Sequence, residues 1–161
     1  MTYPRLELEK KEDPGGEFIT LAVRMKLDLA GCRISLEDWK ALPDNSQCEL
    51  HNFITETFAD IQEFKKMMAE ALMNVSLTQP EQLSQASIAK VSWWKDTGPI
   101  PKEVSSALAR AGCDAVDWNQ TNRFTRYVLW SFATKKQGQN FAQAYVDLRA
   151  CNQLPKPEND E

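Results

Sequence analysis

One histidine and four cysteines are the residues of this 161-residue sequence whose side chains most often bind metals or act as nucleophiles. Two of them, Cys48 and His51, are three positions apart, so on a helix they would lie on one face. A structural zinc site needs about four such ligands, and no C-x-x-C motif supplies more. A Cys-His nucleophile needs an oxyanion-binding loop, and no glycine-rich loop lies near the pair. We therefore expect free thiols that are buried or partly buried, with Cys48 a packed thiol and His51 a surface imidazole, and we expect no metal, no cofactor and no catalytic residue.

The composition limits the class of protein. Hydrophobic residues make up 42% of the chain and charged residues 26%, which is ordinary for a globular protein. Glycines are few and regularly spaced turns are missing, which argues against an all-β fold. No apolar run approaches the roughly 18 residues of a membrane span, and the first residues lack the apolar core of a signal peptide. We therefore expect a cytoplasmic protein without a membrane partner.

Apolar residues recur at helical spacing along most of the chain. The clearest helix is predicted over 57–75, where apolar residues recur every three or four positions: Phe58, Ile61, Phe64, Met68, Leu72 and Val75. Thr78 and Pro80 predict another helix start. We predict an all-α, single-domain bundle of about six or seven helices over 17–152. Residues 1–16 would form an N-terminal arm with a short strand at 6–9, and residues 153–161 an acidic disordered tail.

A short pattern occurs twice, as LAGCRISLEDW at 29–39 and as ARAGCDAVDW at 109–118. In both copies a leucine follows the tryptophan by eleven positions and a phenylalanine by fourteen: Trp39, Leu50, Phe53 and Trp118, Leu129, Phe132. A repeat of this kind is typical of one supersecondary unit used twice. It predicts two similar helical hairpins, at 18–54 and 101–135.

Each position of the repeat has a structural interpretation. The glycine would end a helix in the left-handed conformation. The aspartate would accept hydrogen bonds at the next helix start, and Asp117 would cap a long helix. The tryptophan would bury its apolar area with its indole N–H near the surface. We therefore interpret six residues as structural joints rather than catalytic groups: Gly31, Asp38, Trp39, Gly112, Asp117 and Trp118.

These segments resemble a known family. VRMKLDLAGCRISLEDWKAL at 23–42 is similar to the hallmark of the conserved nitrate reductase-associated protein family. Three further segments resemble weaker motifs of that family: SWWKDTGPIPKEV at 92–104, WNQTNRFTRYVLW at 118–130 and NFAQAYVDL at 140–148. The resemblance implies a cytoplasmic accessory protein of nitrate assimilation that contacts nitrate reductase or an associated electron carrier. It implies no catalytic residues.

Two adjacent tryptophans, Trp93 and Trp94, are candidate partner-binding residues. A regular helix cannot turn both toward one core, so we expect at least one to be partly exposed. Exposed tryptophan is enriched at interfaces. The alternative interpretation is that both fill the gap between helices across an extended linker.

Charge gives a second candidate surface. Residues 37–70 contain eight acidic and three basic side chains, a net charge of −5. Residues 117–149 contain five basic and two acidic side chains, a net charge of +3, and include Arg123 and Arg126. Such a basic face would suit an acidic partner, and scattered solvated charge is the alternative.

Two other classes of function are weighed against this one. A small helical nucleic-acid-binding regulator would explain two helical joints and a basic final hairpin. However, a net charge of −4 and a pI near 5.2 disfavour nucleic acid as the partner. A molybdenum-cofactor-related binding protein is the other alternative, but the double glycine at 15–16 lies in the predicted arm and not before a helix.

Overall fold

The computed structural model of the chain describes residues 3–84, 98–134 and 140–154. Within these ranges the chain is mostly helical, which confirms the all-α prediction. Eight α-helices occur there: α1 (Glu7–Glu12), α2 (Leu21–Ala30), α3 (Leu36–Ala41), α4 (Asp44–Asn52), α5 (Phe58–Val75), α6 (Lys102–Ala111), α7 (Arg123–Thr134) and α8 (Phe141–Ala150). None of these helices is long and apolar enough to cross a membrane.

The described residues form two compact units. Unit 1 contains residues 3–5 and 13–84, and unit 2 contains residues 6–12, 98–134 and 140–154. Each unit therefore contains one copy of the repeated joint.

Helices α2 and α5 form the centre of unit 1. Thr57 and Asp60 begin α5 with a capping box, in which each residue satisfies an amide that the helix leaves unpaired. The predicted apolar stripe buries its central residues, although Phe58 at the start of α5 is exposed. One buried apolar cluster of unit 1 contains ten residues: Val23, Leu27, Cys32, Ile34, Trp39, Leu42, Leu50, Phe64, Met68 and Leu72.

A two-stranded sheet in unit 1 corrects one predicted helix. Strand β1 (Cys32–Arg33) pairs antiparallel with β2 (Glu81–Gln82), so the chain after Pro80 is extended rather than helical. The amide of Leu83 also donates to the carbonyl of Gly31 at 2.9 Å. These hydrogen bonds come from a segment about fifty residues away, which local spacing cannot reveal. The predicted helix beyond Ser84 lies outside the described residues.

Helix α7 forms the centre of unit 2 and is buried along 124–133, between α6 and α8. Helix α1 packs on α8, and the buried carboxylate of Asp147 accepts the amide N–H of Leu8 at 2.8 Å. The short strand predicted at 6–9 is therefore wrong. A carboxylate at the start of α1 satisfies an amide that a helix leaves free, and this favours a helix there.

Both copies of the joint end a helix in the left-handed conformation. Gly31 has φ 67° after α2, and Gly112 has φ 68° after α6. Each glycine amide donates to carbonyls in the last turn of its helix. A side chain at either position would be strained.

The two copies differ after the glycine. In unit 1, Ser35 caps α3 by accepting the amide N–H of Asp38 at 3.1 Å, and Trp39 lies inside α3. In unit 2, where the link is two residues shorter, Asp117 caps a 3-10 turn at Trp118–Gln120. The long helix α7 begins later, where the Asn122 side chain accepts the amide N–H of Thr125 at 2.8 Å. The prediction that Asp117 caps the long helix is therefore wrong.

Both tryptophans of the joint are buried. Trp39 is 2% exposed and Trp118 is 3% exposed, and the leucines that follow them, Leu50 and Leu129, are also buried. The indole Nε1 of Trp39 is enclosed and has no hydrogen-bond partner among the described residues. For Trp39 the expectation of an indole N–H near the surface is therefore wrong. The packed ring outweighs one unsatisfied donor, which costs about 1–3 kcal/mol.

We expect Trp39→Ala and Trp118→Ala each to lower the free energy of unfolding by about 3–5 kcal/mol, because each leaves a large cavity in a packed core. Urea denaturation followed by circular dichroism measures this change. The control variants are Leu36→Ala in unit 1 and Val146→Ala in unit 2, since both side chains are exposed. Denaturation midpoints equal to those of the controls would contradict the assignment of the tryptophans to the cores.

Candidate functional site

Helix α2, which carries the RMKLD part of the hallmark segment, contains a fully buried lysine, Lys26. Its Nζ donates to the carbonyl oxygen of Leu50 at 3.2 Å and to that of His51. Both carbonyls lie in the last turn of α4, where the helix itself provides no partner. The ammonium group therefore caps α4, at the helix end where positive charge is most favourable.

His51 connects three segments of unit 1 through its imidazole ring. The ring Nε2 lies 2.8 Å from the carbonyl oxygen of Tyr3, and Nδ1 lies 2.8 Å from the Thr20 hydroxyl. A carbonyl only accepts, so we assign the ring proton to Nε2 and the hydroxyl proton to the Thr20–Nδ1 bond. The Thr20 oxygen also accepts the amide N–H of Val23, which caps α2.

Tyr3 completes this group of side chains. Its ring centroid lies 5.7 Å from Lys26 Nζ, a cation–π contact, and its hydroxyl donates to Glu56 Oε1 at 3.4 Å. We define the polar cluster as Tyr3, Thr20, Lys26, His51 and Glu56. Its members bind one another and the backbone of unit 1. The cluster therefore positions α2, α4 and the residues before α1, and of its members only Glu56 is exposed to solvent.

Burial determines the protonation states in the cluster. It lowers the pKa of Lys26 to about 8, so at neutral pH the amine is still mostly protonated and can donate to both carbonyls. Burial also lowers the pKa of His51, assisted by the positive charges of Lys26 and Arg5, while the hydrogen bond to the Tyr3 carbonyl acts in the opposite direction. The imidazole is therefore neutral at pH 7, in agreement with its assigned hydrogen bonds.

The Cys48–His51 pair is not arranged as a ligand pair. Cys48 is exposed, so the expectation of a packed thiol at this position is wrong. Its Sγ accepts a hydrogen bond from Asn52 at 3.4 Å, while both ring nitrogens of His51 contact other groups. His51 is half-buried rather than the surface imidazole that we expected, because its side of α4 faces Thr20 and Tyr3. In the described ranges no group of three or more His, Cys, Asp or Glu residues is placed to hold a metal ion.

Two of the thiols, Cys32 and Cys113, are not activated. All four cysteines are free. Burial raises the pKa of Cys32 to about 11, and burial together with the nearby Asp114 carboxylate raises the pKa of Cys113. Both groups are therefore protonated thiols at neutral pH, whereas a nucleophilic cysteine is a thiolate.

The structure describes two of the four candidate partner-binding residues, Arg123 and Arg126. Trp93 and Trp94 lie outside the described residues. Arg123 is half-buried at the start of α7, but Arg126 is only 5% exposed, so its expected role as an exposed charge is wrong. The reason is that α7 is the central helix of unit 2 and is enclosed on all sides after its first residue.

Sequence reasoning missed the polar cluster, although one signal for it was present. The residues three and four positions from Lys26 in both directions are all apolar: Ala22, Val23, Leu29 and Ala30. A lysine in the middle of an apolar helix face is typical of a buried, paired ammonium group. The partners Tyr3 and His51 have no comparable signal, because they come from distant parts of the chain.

The fold and the polar cluster define the class of this molecule: a helical protein in which a buried lysine, a glycine and a tryptophan of segment 23–42 serve internal contacts. The family model described as conserved nitrate reductase-associated protein matches residues 6–148, and the chain belongs to that family. No curated protein and no solved structure matches the chain.

We expect the free energy of unfolding to decrease as the pH falls from 7.5 to 5.5. The pKa of His51 is lower in the folded state than its ordinary value of 6.5, so the unfolded chain binds the proton first. The contribution of neutral His51 to the free energy of unfolding is present above the ordinary pKa of histidine. It is lost as the pH falls toward the lower pKa that His51 has in the folded state. Urea denaturation at several pH values measures this trend. The chain has one histidine, so a His51 variant separates its contribution from that of Lys26, whose pKa of about 8 also affects the upper part of this range.

His51→Gln is the matched control for this pH dependence, since glutamine keeps a polar side chain but does not titrate. The stability difference between the natural chain and the variant should narrow as the pH falls. A difference that stays constant between pH 7.5 and 5.5 would show that His51 does not titrate in this environment.

Proposed function

We propose that this chain is a non-catalytic accessory protein of nitrate assimilation, which acts by contact with nitrate reductase or with its maturation or electron-donor machinery. The observation that carries the proposal is the family match over 6–148. A cytoplasmic location and the absence of a resident cofactor belong to the same proposal.

The non-catalytic part of the proposal is supported by how the hallmark segment is used. Lys26 caps a helix, Gly31 ends one, and Trp39 fills the core of unit 1. These contacts preserve the shape of unit 1 and do not leave a polar group facing a substrate. Contacts of this kind keep the surface of unit 1 in one conformation. A pre-organised surface loses less entropy on association, which favours binding.

The candidate contact residues are Trp93 and Trp94, together with Arg123 at the start of α7. A tryptophan supplies a large rigid area at small entropic cost. Arg123 lies at the half-buried end of α7, where a charge can act on an approaching acidic partner. Arg126 is left out of the proposed contact because it is buried.

In a strain lacking the protein, we expect nitrate reductase activity and growth on nitrate to decrease, while growth on ammonium is unchanged. An accessory protein affects only the process that it serves, which is why ammonium is the control. The full-length chain should restore activity. Normal nitrate reductase activity in the deletion strain would overturn the proposed function.

Trp93→Ala combined with Trp94→Ala should weaken binding to purified nitrate reductase by about ten-fold or more, as expected for interface tryptophans. Arg123→Glu should slow association and change its salt dependence, since charges that solvent can reach act mainly on the on-rate. Surface plasmon resonance measures both effects, and circular dichroism checks that each variant is folded. Arg110→Glu, on an exposed position of α6, is the matched charge control. Equal binding by all variants would exclude these residues from the contact.

A further inference from the structure

The end of α5 in unit 1 exposes three large apolar side chains within five residues. Met73 is 41% exposed, Val75 is 40% exposed and Leu77 is 81% exposed. We define these three residues as the terminal patch. On the core face of the same helix, Phe64, Met68 and Leu72 are fully buried. The terminal patch therefore adds apolar surface that does not contribute to the core of unit 1.

Leu77 is unusual in its backbone as well as in its exposure. It follows Ser76, which ends α5, and it has φ 55°. Leucine is strained in this left-handed conformation, which glycine and asparagine tolerate. Elsewhere in the described residues, positive φ at non-glycine positions occurs only at two asparagines, Asn140 and Asn152. Folding alone would favour glycine or asparagine at position 77, so the leucine side chain calls for another explanation.

A pocket of about 400 Å³ lies beside the terminal patch. It is open to solvent and is lined by five residues: Ala69, Glu70, Met73, Asn74 and Gln79. Met73 belongs to both the pocket and the terminal patch. The volume is within the usual range of binding pockets, roughly 300–1,000 Å³, and is sufficient for an apolar side chain of a partner.

The charge around the pocket is negative. Glu70 lies on its wall, and no cation pairs with this carboxylate within the part of the chain that the structure describes. The last turn of α5 has no basic residue, so the partial negative charge of the helix end is not offset there. The nearest basic residue on α5, Lys66, lies one turn before Glu70.

We propose that the terminal patch docks a segment of a partner protein in which an apolar side chain is adjacent to a lysine or arginine. The apolar side chain enters the pocket and contacts Leu77, and the cationic group meets Glu70 and the end of α5. The charge complementarity of this arrangement selects a basic partner segment over an acidic one. This inference rests on the proposed function and assigns a surface of unit 1 to the contact with nitrate reductase.

Leu77→Asn tests the docking surface because folding and binding predict opposite effects. Asparagine tolerates the left-handed conformation, so the denaturation midpoint should stay the same or rise. The affinity for immobilised purified nitrate reductase should fall by about ten-fold or more, because an apolar anchor is lost. Ile54→Asn is the control, since Ile54 is 53% exposed in the loop before α5 and outside the terminal patch. Its affinity should equal that of the natural chain.

Glu70→Lys tests the chemistry of the partner. Reversing this charge should weaken binding by about three-fold or more at low ionic strength, and the loss should diminish as salt screens the charges. Glu63→Lys, an exposed position two turns earlier on α5, is the matched control. A loss that is equal for both reversals would show only a general charge effect and would overturn the assignment of a cation to Glu70.

The outcomes separate this inference from the proposed function. If the natural chain does not bind nitrate reductase, the proposed function is overturned, and the docking surface with it. If the natural chain binds and Leu77→Asn binds equally well, the terminal patch is overturned while the proposed function stands. Analytical ultracentrifugation provides a further outcome: a natural chain that self-associates and a monomeric Leu77→Asn variant would show a contact between copies of this chain instead.

Discussion

The arrangement of unit 1 depends on one buried charge, the ammonium group of Lys26. Removing a charge from water costs several kcal/mol unless nearby groups compensate for it. Here the compensation comes from two carbonyls at the end of α4 and from the ring of Tyr3. The charge is therefore stable only if α4 ends beside the middle of α2, and this requirement positions both helices. His51, one of the residues capped by Lys26, then holds Tyr3 and the start of α2.

This dependence gives structural roles to three residues of segment 23–42, which lies within the range that the family model matches. Its lysine neutralises a helix end, its glycine permits a left-handed turn, and its tryptophan fills a core. The second copy of the joint uses the same glycine and tryptophan in unit 2 but replaces α3 with a 3-10 turn. In both copies the repeat ends one helix and packs the following segment. This structural role explains the repeat without a catalytic or binding role common to both copies.

Because these side chains make internal contacts, the proposed binding depends on other residues at the surface. Among the described residues of unit 1, the end of α5 is one surface feature that folding does not explain, because a strained and exposed leucine lies beside an open pocket. Sites of this kind are consistent with an accessory protein, whose function depends on keeping a surface in a defined shape. Apolar exposure and backbone strain both oppose folding, so their coincidence at Leu77 favours a role in contact over a role in stability.

The sequence by itself determined the helical class, the long helix α5 and the family. The helical class and α5 can be recognised from local periodicity and from capping residues such as Thr57. The family can be recognised from a contiguous motif. The sequence also determined that Gly31 and Gly112 would end helices, because the left-handed turn is a property of a single residue. The burial of Trp39 and Trp118 follows from their size and position in an apolar pattern.

Only the tertiary structure decided which distant groups meet. The pairing of β1 with β2, the helical state of residues 7–12 and the burial of Arg126 all depend on neighbours far along the chain. The same is true of the polar cluster, in which Tyr3, Lys26 and His51 come together across 48 residues of sequence. The spacing of apolar residues predicts which face of a helix is apolar, but it does not predict which other part of the chain packs against that face. That choice is made by packing, and packing is a property of the folded chain.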